Sequence, residues 1–103
     1  IILPQTTLTE ICFFAAGDVG GTIVSRFLDR LSYSRIQLVN LNDNDIKRTA
    51  QLLRQYQDSR IDFVDASVMA VVERLDIRTI LTLDRRDFGI VRPEKWDFFE
   101  LLP

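Results

Sequence analysis

The chain has 103 residues, 47% of them hydrophobic, and a formal net charge of −2. That composition suits one small globular domain with a sizeable core and argues against disorder. There is no histidine and a single cysteine, Cys12, which excludes Ser-His and Cys-His nucleophilic chemistry, most zinc sites and an intrachain disulfide. Cys12 sits in the apolar run Ile11-Cys12-Phe13-Phe14 and reads as a buried small hydrophobe. These features fit a reducing, cytoplasmic setting. No stretch approaches the roughly 18 apolar residues of a membrane span, and no signal-peptide pattern is visible. A net-acidic chain argues weakly against broad nonspecific nucleic-acid binding. Its positive charge is almost all arginine, with Lys47 and Lys95 the lysines. Arginine suits bidentate phosphate contacts, although genomic composition bias gives the same count.

Ile1-Ile2-Leu3 reads as a short buried strand. Pro4 suits the first turn of a helix, and Leu8, Ile11, Phe14 and Ala15 keep helical spacing to about Ala16. Gly17-Asp18 is expected to break this helix. A second helix runs from about Val19 to Leu31, with Ile23, Phe27 and Leu31 on one face. Gly20-Gly21 weakens its start by about 1 kcal/mol per glycine. Ile36-Gln37-Leu38-Val39 alternates as a strand. Asn42 or Asp43 caps a helix to about Tyr56, with Ile46, Ala50, Leu53 and Gln57 spaced by threes and fours. After the polar connection Asp58-Ser59-Arg60, Asp62 caps a helix bearing Val64, Val68, Val71 and Leu75. Thr79 to Thr82 is a buried strand, Asp84 to Phe88 a charged loop, and Phe98 to Leu101 a final edge strand. Strands alternating with helices predict an α/β sandwich with a mainly parallel sheet. Its active site should gather outside the carboxyl ends of the strands, where Asp84 falls.

Asp65 is the most informative residue. It shares a helical stripe with Met69 and Val72, and an unpaired carboxylate on an apolar stripe costs several kcal/mol unless charge, hydrogen bonds or a metal compensates. An acid near a helix start is equally favoured by the macrodipole. Glu10 sits mid-helix between Thr6/Thr7 and Phe13/Phe14, where an exposed glutamate is also a good helix former. Asp84 and Asp87 belong to a loop, and loop acids commonly cap or solvate. Taken together, three elements each deliver one acid near an apolar surface. Without histidine or thiol chemistry, carboxylates support hard-cation binding: Mg²⁺ takes oxygen ligands and needs one or two direct carboxylates. Spacing alone does not establish that the three acids meet.

The segments Asp62 to Ala70, Glu73-Arg74-Leu75, Leu81 to Phe88 and Val91-Arg92-Pro93 resemble the second half of VapC-type PIN toxins. The ending Phe99 to Pro103 is similar to their tail, and Leu3-Pro4 with Leu8-Thr9-Glu10-Ile11 to their strand-to-helix passage. The Asp65-Ala66-Ser67 and Thr82 to Arg86 stretches are specific in combination, and the resemblance covers nearly the whole chain. It implies a PIN-like α/β/α sandwich with a mainly parallel central sheet and a metal-dependent endoribonuclease. It also implies Mg²⁺, or Mn²⁺, as cofactor, an RNA substrate, a VapB-type antitoxin and a homodimer. Glu10, Asp65 and Asp84 match three acidic positions of the family. Asp87 matches a variable one and is held as an accessory acid. Thr82 matches a small hydroxyl position that orients Asp84 or a water. Arg85 and Arg86 are candidates for RNA phosphate or for salt bridges. The family's first acid, on an opening strand, has no match here. Residues 1–103 are therefore expected to be a single PIN domain lacking its N-terminal strand and following segment. The competing reading is a degenerate, non-catalytic PIN domain that binds RNA or protein. A phosphoaspartate receiver-like domain would need an early Asp pair and a lysine after a late strand, and Lys95 is poorly placed for that role.

Overall fold

A computed structural model describes residues 1–77, 79–81 and 100–102. In chain order the described elements are β1 (Ile2–Pro4), α1 (Gln5–Val19), α2 (Gly21–Ser32), β2 (Gln37–Val39), α3 (Asp43–Gln55), α4 (Phe63–Arg74), β3 (Thr79–Leu81) and β4 (Glu100–Leu102). They fall into two compact units, Ile1–Asn40 and Leu41–Pro103. Each unit holds one parallel strand pair: Ile2, Leu3 and Pro4 of β1 face Gln37, Leu38 and Val39 of β2, and Thr79, Ile80 and Leu81 of β3 face Glu100, Leu101 and Leu102 of β4. Helices alternate with parallel strands, which is the α/β class that the sequence pattern predicts.

In the first unit, Pro4 ends β1 and serves as the N-cap of α1, so the helix begins one residue later than expected. Its ring fixes φ near −62° and its missing N–H is lost where no helix partner exists anyway. The expected break at Gly17-Asp18 does not occur. The helix continues to Val19 and stops at Gly20, whose φ is 86°. A glycine inside a helix costs about 1 kcal/mol and is tolerated. The residue that must take positive φ ends the helix, because a Cβ there is strained. Space is not the constraint, since a Cβ on Gly20 would meet nothing within 4 Å. Leu8 is buried, whereas Ile11 and Phe14 of the same predicted stripe are exposed. Within this unit α1 packs against α2 and β1, and those two neighbours cover only part of its circumference. Cys12 is half-buried rather than buried.

The second unit carries the core. Leu52 of α3 packs with Ile61 and with Ala66, Met69 and Val72 of α4, while Leu53, Tyr56, Val68 and Ile77 close around them. Leu52 and Met69 are fully buried, and each such side chain contributes about 1.5–3 kcal/mol by leaving water. Helix α4 is buried over most of its circumference, from Ala66 to Glu73, as befits a central helix.

The buried face of α3 differs from the predicted one. Asp45, Thr49 and Leu52 are inside, and Ile46 is half exposed. The face is one residue out of phase with the apolar stripe because two of its members are polar. Asp45 is buried with every polar group engaged. Its Oδ2 accepts the Asn42 N–H at 3.0 Å, and its own N–H donates to Asn42 Oδ1 at 2.8 Å, a reciprocal capping box. Arg74 Nε of α4 donates to both its carboxylate oxygens at 2.9 and 3.0 Å. Thr49 Oγ1 donates to the Asp45 carbonyl at 2.6 Å. Glu73, also buried, accepts Nε and Nη2 of Arg48 at 3.3 and 3.2 Å. Two charge pairs thus tie the end of α4 to the first half of α3.

α4 ends in a Schellman motif. The Ile77 N–H donates to the Val72 carbonyl at 2.8 Å and the Asp76 N–H to that of Glu73 at 3.1 Å. Asp76 takes φ 62°, a left-handed conformation that Asp tolerates better than branched residues do. Asp76→Val is therefore expected to lower stability by about 1–2 kcal/mol, read as a lower urea midpoint, while Asp76→Gly should cost less than the valine. Asp45→Ala should cost about 3 kcal/mol. That is the lower end for a broken buried pair, because Arg74 keeps partial access to water. Calorimetric melting would measure it.

Candidate active site

Asp62 is the N-cap of α4, with extended backbone at φ −98° and ψ −177°. Its Oδ1 accepts the Asp65 N–H at 2.9 Å, which supplies a partner for one of the four N–H groups that a helix start leaves unsatisfied. Asp62 fills the capping role predicted for it. Asp65 then occupies the third helical position, where the helix dipole favours a negative charge. It is half-buried, and the next residues of its stripe, Met69 and Val72, belong to the core. The predicted stripe is therefore real. Asp65 stands where the core-facing stripe of α4 meets its N-terminal end.

Glu10 lies on α1 and is half-buried between half-buried Thr6 and Thr7 on one side and exposed Phe13 and Phe14 on the other. It belongs to the first unit and Asp65 to the second. Thr82, Asp84, Arg85, Arg86 and Asp87 lie outside the described residues. Among the described residues, no three acidic or cysteine side chains come together at one point. The donors on offer at these positions are carboxylate oxygens, the donor type a hard divalent cation takes.

The charged residues to which sequence reasoning gave no role are Asp45, Arg48, Glu73 and Arg74. Their signal was present in part. Asn42 and Asp45 have capping-box spacing, with Asp in place of the usual Glu. An adjacent Glu73-Arg74 pair at the end of an otherwise apolar helix also asks for partners across a helix interface.

The PIN domain family model matches residues 1–92. The chain belongs to the PIN domain family. It is also 31% identical over 103 residues to Ribonuclease VapC26 of Mycobacterium tuberculosis, an alignment that covers all of this chain and 76% of that protein. The resemblance to VapC-type PIN proteins seen in the motifs therefore extends along the whole chain. In this PIN domain, α4 is the helix that carries the Asp65-Ala66-Ser67 stretch. Ser67 is fully buried and its Oγ donates to the Val64 carbonyl at 2.7 Å. The hydroxyl is thus turned back onto its own helix. No helix among the described residues is long and apolar enough to cross a membrane.

Asp62→Ala should remove the α4 cap and cost about 1 kcal/mol. The expected reading is a lower urea midpoint with an unchanged m-value.

Proposed function

We propose that this PIN-domain protein is a metal-dependent endoribonuclease toxin, acting in the cytoplasm and neutralised by a VapB-type antitoxin. The observation that carries the reading is Asp65. It is a half-buried carboxylate at a capped helix start, in a chain whose family includes a protein named as a ribonuclease. RNA is the substrate, and a second copy of the chain is the expected partner in a homodimer.

Asp65 and Asp84, together with an upstream Asp, would hold Mg²⁺, with Mn²⁺ as the alternative, and Glu10 would assist as a direct or outer ligand. When bound, the ion acidifies a water and offsets charge on the scissile phosphate. The Asp62 cap holds the backbone that carries Asp65 at the start of α4. Glu10 orients the attacking water through its carboxylate. The water oxygen attacks phosphorus and the 3′ oxygen leaves with a proton, giving a 5′-phosphate and a 3′-hydroxyl. Thr82 orients Asp84 or a water, Asp87 serves as an accessory acid, and Arg85 and Arg86 hold RNA phosphate. The chain has no histidine, so the oxygen ligands a hard cation takes would come from these carboxylates.

Asp65→Asn removes the charge and little volume. It should abolish cleavage, more than about 100-fold, while the melting curve stays close to wild type. EDTA should silence the wild-type protein, and added Mg²⁺ or Mn²⁺ should restore it. An Asp65→Asn protein that cut RNA at the wild-type rate would sink the assignment. A folded wild-type protein that neither cut structured RNAs nor bound a divalent cation would sink the enzymatic reading itself.

A further inference from the structure

Helices α3 and α4 border an open groove of about 700 Å³. Asn44, Lys47, Gln51 and Arg54 all line it from α3. Their spacing of three, four and three residues places them in one row along the helix. At 1.5 Å per residue the row is about 15 Å long. All four are exposed. The opposite wall contributes Glu73 and Arg74, and Ala70 is the one apolar residue of the lining.

The charges in this groove are unevenly committed. Arg74 is paired with Asp45 and Arg48 with Glu73, so both buried carboxylates are already neutralised. Arg48 Nη1 is also spent on Gln51 Oε1 at 2.8 Å. Among the described residues, Lys47 and Arg54 have no ion-pair partner. The lining therefore holds four cations against two carboxylates, in a chain whose net charge is −2. A groove this polar lacks the aromatic and aliphatic anchors that concentrate energy in protein interfaces. A positive lining of lysine, arginine and side-chain amides is what a phosphodiester backbone meets on a nucleic-acid-binding protein.

We propose that the α3–α4 groove is a backbone-binding site for single-stranded RNA, separate from the residues assigned to cleavage, with Lys47 and Arg54 as its phosphate contacts. The site rests on the ribonuclease reading only for the choice of polymer. Gln51 lies between the two cations in the row and Asn44 at its start, and both donate to phosphate or sugar oxygens. Such contacts position the strand and carry little sequence information.

The test measures binding of a fluorescein-labelled single-stranded RNA of mixed sequence by anisotropy. It is run in EDTA across a salt series, with the RNA checked for integrity on a gel. The comparison is between Lys47→Gln/Arg54→Gln and a charge-matched control, Arg26→Gln/Arg30→Gln, which alters two exposed arginines of α2. Melting curves confirm that both variants fold. Each phosphate contact to a single strand contributes about 0.7 to the slope of log K against log salt. The groove variant should therefore lose about 1.4 from the slope and bind roughly tenfold more weakly near 0.1 M salt, with the control unchanged. Equal losses in both variants would reduce the effect to net charge and overturn the site. So would no loss in either, or no RNA binding by the wild type. Groove-dependent binding of poly-glutamate without groove-dependent RNA binding would overturn it in favour of an acidic protein partner. A protein that binds RNA through the groove but never cuts it contradicts the proposed function alone. A protein that cuts RNA while both variants keep the wild-type slope contradicts the groove alone.

Discussion

The Asp45 carboxylate is the constraint on which the second unit depends. It is buried, and a buried charge without partners is costly enough to unfold a small domain. Its partners come from two helices. The Asn42 N–H fixes the start of α3, and the Arg74 guanidinium fixes the end of α4 against it. The Arg48–Glu73 pair repeats the tie beside it. Between these charges and the Asp62 cap, Leu52, Met69 and Val72 supply the apolar contact that holds the helices together. Packing favours contact between α3 and α4 but tolerates sliding. The charge pairs do not, because each has one short-range geometry.

This arrangement sets the position of Asp65. The residue lies at the capped end of α4, and the opposite end of that helix is anchored by Glu73 and Arg74. That end of the helix begins the Asp65-Ala66-Ser67 stretch on which the VapC-type resemblance partly rests. The chain has no histidine, and its carboxylates carry structural duties beside the catalytic ones proposed for them. The structural ones are distinguishable by their partners. Asp62 accepts a backbone N–H, while Asp45 and Glu73 each meet an arginine. The same pairing neutralises the acids in the α3–α4 groove and leaves Lys47 and Arg54 to dominate its character.

Most elements were legible because their signals are local. The Asp62 cap, the β2 alternation and the run from Phe63 to Arg74 depend on neighbours within a few residues. The break between α1 and α2 was misplaced because two candidate glycines stand close together. Nothing in Gly17 or Gly20 alone says which one takes positive φ. The buried face of α3 was misjudged for a different reason. Hydrophobic periodicity selects Ile46 and Leu53, but burial of Asp45 and Thr49 becomes favourable only once Arg74 and the Asp45 carbonyl are in reach. The pairing partner of Asp45 lies 29 residues away along the chain, beyond any local pattern.

The amino-acid sequence by itself determined the α/β alternation, the capped start of α4, the Asp65–Met69–Val72 stripe and the PIN resemblance. Each is written in spacing, cap chemistry or motif, and each acts over one or two helical turns. Tertiary structure decided which polar residues are inside, how α3 is rotated about its axis, and which cations of the groove remain uncommitted. Those outcomes turn on the desolvation of charges, whose sign depends on partners brought near only by folding.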